Sequence, residues 1–78
     1  MQISRLKAVR LHYEAKAAEA EETIKVYLSN AVGIGEHPQV MEELRGQIEI
    51  LTDSKDVILV IDELIEKFTD FSNQKGVN

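Results

Sequence analysis

Counted in sevens from the start of the chain, Ile3, Ala17 and Ile24 recur at one position and Leu6, Tyr13, Ala20 and Tyr27 at another, and only Arg10 interrupts. Apolar residues alternating three and four apart form one face of an α-helix, the face that packs against a second helix. Neither proline nor glycine occurs between Ser4 and Ser29, a stretch rich in Ala, Glu, Lys, Arg and Leu, so the spacing predicts a helix over about 4–29. After Pro38 the count resumes, with Val40, Ile61 and Phe68 at one position, Leu44, Leu51, Ile58 and Ile65 at the other, and Gln47 and Ser54 as polar interruptions. This predicts a second helix over about 38–71. Thr52-Asp53-Ser54-Lys55 is its weakest stretch, and capping by Asp53 or Ser54 would start a third helix and give a three-helix bundle. The unbroken seven-residue register favours one continuous helix. Residues 72–78 carry no periodicity and are expected to fray.

Between the two periodic stretches lies Asn30-Ala31-Val32-Gly33-Ile34-Gly35-Glu36-His37-Pro38, with two of the four glycines and the one proline. Gly33 and Gly35 tolerate the positive φ that ends a helix. Pro38 suits the first turn of the next helix and pushes His37 out of helical geometry, which makes His37 the expected N-cap. The expected fold is therefore all-α, an antiparallel helical hairpin of two long helices joined by a turn over 30–37.

A hairpin does not use all of the apolar surface. Val57, Val60, Leu64 and Phe71 make a second row beside Ile58, Ile61, Ile65 and Phe68, and one partner helix cannot cover both. Such a row, flanked by Asp62 and Glu63, reads as an association surface for another protein or another copy of the chain. A third helix completing an ordinary core would use it equally well. The β-branched run Val57-Ile58-Leu59-Val60-Ile61 could also form a buried strand, but Asp-Glu-Leu-Ile-Glu-Lys returns to helical spacing.

Composition narrows the class. The chain has 78 residues, 44% hydrophobic and 29% charged, which fits one small folded domain rather than a disordered tail. Without cysteine there is no disulfide framework, so a reducing intracellular setting is expected. No apolar run approaches the roughly 18 residues of a membrane span, and no signal-peptide core follows the first residues, so no membrane partner is expected. The net charge of −5 is uneven, because Arg5, Lys7, Arg10 and Lys16 cluster at the start while acids dominate the rest. An antiparallel hairpin would set those cations beside Asp62, Glu63, Glu66 and Asp70, where internal pairing accounts for them. The alternative, contact with nucleic-acid phosphates, would be weak and salt-sensitive on an acidic chain.

Catalytic and metal chemistry find little support. His12 and His37 fall on different elements at opposite ends of the hairpin, which disfavours a shared metal site. Gly33-Ile34-Gly35 lacks the third glycine and the Lys-Ser/Thr of a phosphate loop, and there is no Gly-x-Ser-x-Gly elbow. Three arginines, Arg5, Arg10 and Arg45, are few for a small helical mutase. No cofactor is expected.

The turn Val32-Gly33-Ile34-Gly35-Glu36-His37-Pro38, preceded by Tyr27-Leu28-Ser29-Asn30 and followed by a Glu-rich apolar helix, carries a family resemblance. Over roughly residues 20 to 70 the chain resembles the small accessory proteins encoded beside the UvsW recombination DNA helicase of T-even-type bacteriophages. The resemblance implies a helical, non-enzymatic protein of phage DNA recombination, repair or replication, acting with that helicase in the host bacterial cytoplasm. It implies no catalytic residues. The expected mechanism is docking, with a weak single-stranded nucleic-acid binder or a structural homodimer as alternatives.

Overall fold

The computed structural model describes the backbone of residues 3–29 and 38–77, and side chains over 3–29 and 39–69. It consists of α1, Ile3–Ser29, and α2, Pro38–Val77. The two helices pack against each other as an antiparallel pair, and there is no strand among the described residues. Arg10 near the start of α1 meets Asp62 late in α2, and Tyr27 at the end of α1 meets Glu43 early in α2. The result is a rod of 64 × 14 × 14 Å, its long dimension close to the roughly 60 Å that a helix of α2's length spans.

Those two pairs fix the register. Their residue numbers add to 72 and 70, so residues whose numbers add to about 71 stand opposite one another. Apolar layers follow at Leu6 with Ile65, Tyr13 with Ile58, Ala20 with Leu51, and Tyr27 with Leu44. Between them the polar interruptions each stand opposite an apolar or small residue: Arg10 opposite Ile61, Ser54 opposite Ala17, Gln47 opposite Ile24. The seam is one side chain wide, and the residues it closes off from solvent are Ala20, Ile61 and Ser54. Small side chains at Ala17, Ala20 and Ser54 leave little to hold the helices apart at mid-length.

α2 runs unbroken through Thr52 to Lys55, so the third helix does not form. The reason is local. Ser54 is buried in the seam opposite Ala17 instead of capping a new helix, and the Thr52 hydroxyl donates 2.9 Å to the carbonyl of Ile48 one turn earlier. Thr23 and Ser29 do the same in α1, donating to the carbonyls of Glu19 and Lys25. α2 continues to Val77, beyond the expected end near Phe71; nothing between Ser72 and Lys75 breaks a helix, and only Gly76 weakens it. The turn residues Gly33, Gly35 and His37, with the side chain of Pro38, lie outside the described residues.

Candidate protein-docking surface

Because the seam is narrow, most side chains face one of two long flanks. On one flank, Val9, Lys16 and Thr23 of α1 run beside Ile50, Val57 and Leu64 of α2. A shallow depression bounded by Lys16, Glu19, Ala20, Thr23, Gln47 and Ile50 spans both helices on this side. Val57 and Leu64 are half-buried, Val9 is exposed, and Val60, lying between Val57 and Leu64 on the outer edge, is 51% exposed. By the register, Val9 falls beside Val57 and Leu64, so these four residues form one continuous apolar patch. We call this the valine flank.

The opposite flank is bridged by charge. Arg10 lies in the seam and turns its guanidinium outward, donating from Nε to Asp62 Oδ1 at 2.7 Å and from Nη2 to Oδ2 at 3.1 Å, while Nη1 pairs with Glu14. Bidentate bonding of this kind favours the charged form of both partners. Arg10 holds the Asp62 carboxyl below its ordinary range, and Asp62 in turn pushes the Arg10 guanidinium further up. At the other end of the seam the Tyr27 hydroxyl donates to Glu43, which raises its ionisation above the usual phenolic range.

Of the residues singled out in the sequence, Val57, Val60 and Leu64 do share one side, and the side chain of Phe71 lies outside the described residues. Asp62 does not flank that row. It belongs to the bridged flank, and Glu63, the next residue along, faces away from the seam and is exposed. The four basic residues are also divided: Arg5 and Lys16 are on the valine flank, Lys7 and Arg10 on the other. Arg10 is committed to Asp62 and Glu14, and Lys16 Nζ sits 5.7 Å from the centre of the Tyr13 ring, within cation–π range. They therefore present no single cationic face.

Two apolar groups were not foreseen. Leu28, Met41 and Ile48 come together on the bridged flank near the Ser29 end of α1, with Leu28 67% exposed. Leu11 and Leu59 stand at one level outside the Arg10–Asp62 pair, also exposed. None of these five falls on a core heptad position, so each reads alone as an ordinary surface residue. Folding the sequence about Gly35 gives the 71 register and would have brought them together.

His12 is exposed and makes an edge-to-face contact with Tyr13, ring centres 5.0 Å apart. Among the described residues no three metal-ligating side chains converge, and no helix is long and apolar enough to cross a membrane. Comparison of the chain with known protein families, with characterised proteins and with solved structures gives no match.

Proposed function

We propose that this chain is a non-enzymatic docking protein whose association surface is the valine flank, and that it serves the UvsW-type recombination helicase of a T-even-type phage. The observation that carries the reading is the patch of Val9, Val57, Val60 and Leu64, in which Val9 and Val60 are exposed and Val57 and Leu64 only half-buried by the hairpin. Exposed apolar side chains such as Val9 and Val60 gain free energy by leaving water, at about 25 cal/mol per Å². The partner rests on the resemblance of the turn over residues 32–38, and the acidic balance of the chain suits a basic nucleic-acid enzyme better than nucleic acid itself.

Co-sedimentation of the purified chain with purified UvsW helicase, at low and at physiological salt, tests this. The wild-type chain is expected to co-sediment at both, and Val60→Glu to remain in the supernatant. Equal binding by wild type and Val60→Glu would show that the flank plays no part, and no binding by either would remove the helicase as partner.

A further inference from the structure

The accessible surface of the hairpin is 6115 Å², whereas a compact monomer of 8.8 kDa exposes about 4,800 Å². The excess of about 1,300 Å² per chain is more than the roughly 800 Å² each partner hides in a standard stable interface. The charges around the patch indicate what covers it.

On α2, Val60 is bracketed by Asp53 and Lys67, seven residues away on either side and therefore on the same face. On α1, His12 is bracketed in the same way by Glu19 and Arg5. The 71 register sets His12 level with Leu59 and Val60, Glu19 level with Asp53, and Arg5 level with Lys67. At these outer positions both helices are thus acidic toward the Ser29 end of α1 and basic toward its Ile3 end, at equal distances from one apolar centre, while Lys16 on the same flank rests over the Tyr13 ring. All four charged residues are exposed, and none forms an ion pair within the chain among the described residues.

A surface with this layout is complementary to its own copy turned end for end. We propose that the valine flank is covered by a second copy of this chain, related by a two-fold axis near Val60 and His12, so that two hairpins form an antiparallel four-helix bundle. In that arrangement each Asp53 and Glu19 meets a Lys67 or Arg5 of the other copy, whichever helices face each other. A parallel arrangement would set like charges together and is disfavoured. On the bridged flank the charges Arg10, Glu14 and Asp62 already pair within the chain and offer no such pattern. The proposal rests on the valine flank being the association surface and names its occupant; the helicase would then meet a two-copy assembly.

Sedimentation equilibrium of the pure protein across micromolar concentrations decides it, with circular dichroism confirming helicity. The wild type is expected at twice the chain mass, with a melting temperature that rises with concentration. Val60→Glu, at an exposed position, should weaken the dimer about 100-fold, tenfold from each copy, while Leu59→Glu on the other flank leaves it unchanged. Asp53→Lys and Lys67→Asp should each weaken it and the double variant restore it. A wild-type monomer that binds helicase overturns the second copy and leaves the docking reading standing. A monomer that binds nothing overturns both, and a dimer indifferent to Val60→Glu or unrescued by the charge swap overturns the two-fold arrangement.

Discussion

Ser54 is 1% exposed, and its hydroxyl has no hydrogen-bond partner, although Thr23, Ser29 and Thr52 all bond back to a carbonyl four residues earlier. Ser54→Ala removes that hydroxyl without disturbing the small layer it forms with Ala17. An unsatisfied buried hydroxyl costs about 1–3 kcal/mol. Alanine adds about 0.5 kcal/mol of helix propensity over serine. The void left by one oxygen costs about 0.3 kcal/mol at roughly 24 cal/mol per Å³. The expected gain is therefore about 1–3 kcal/mol, a rise in Tm on the order of 4–8 °C per kcal/mol for a domain of this size. Urea unfolding followed by circular dichroism, at one fixed protein concentration, measures it. A loss of stability of about 1 kcal/mol or more would refute the reasoning, since the hydroxyl would then hold a bond worth more than its burial costs.

Overpacking the same region should act in the opposite direction: Ala20→Leu inserts three carbons into the narrowest part of the seam and is expected to cost about 1–3 kcal/mol in the same assay. Gly46 sits inside α2 with open space where a Cβ would go, so Gly46→Ala should add about 0.5–1 kcal/mol through helix propensity. The depressed Asp62 carboxyl contributes stability that is present above its unfolded value, near pH 3.9, and lost as pH falls through its lower folded value. An acid titration of stability should accordingly be shallower in Asp62→Asn than in the wild type. The raised Tyr27 phenol works in the other direction: its contribution is complete below about pH 10 and lost as pH rises through its folded value, so Tyr27→Phe should flatten the alkaline limb of the same curve.

The helices could be read from the sequence because their core residues, from Ile3 to Tyr27 and from Val40 to Phe68, keep one period that only a helix pair uses. Continuity through Thr52 to Lys55 could be read for the same reason. The end of α2 could not, because residues 72–77 carry no apolar period in the sequence. The second apolar row was visible because Val57, Val60 and Leu64 are close in sequence. Its relation to Val9, like the clusters of Leu28 with Met41 and Ile48 and of Leu11 with Leu59, depends on the register between helices. Asp62 was assigned to the row by its position in the chain, whereas the three-residue offset from Leu59 and the pull of Arg10 put it on the other side of the seam.

The central claim is that association takes place through the valine flank and spares the bridged one. Because the chain has no cysteine, a single polarity-sensitive fluorophore can be placed at Val60→Cys or at Glu21→Cys, both exposed. Raising the protein concentration should shift the emission of the label at position 60 to the blue and leave that at position 21 unchanged. A shift at position 21 with none at position 60 would contradict the account, because the partner would then be seated on the flank that Arg10 and Asp62 close.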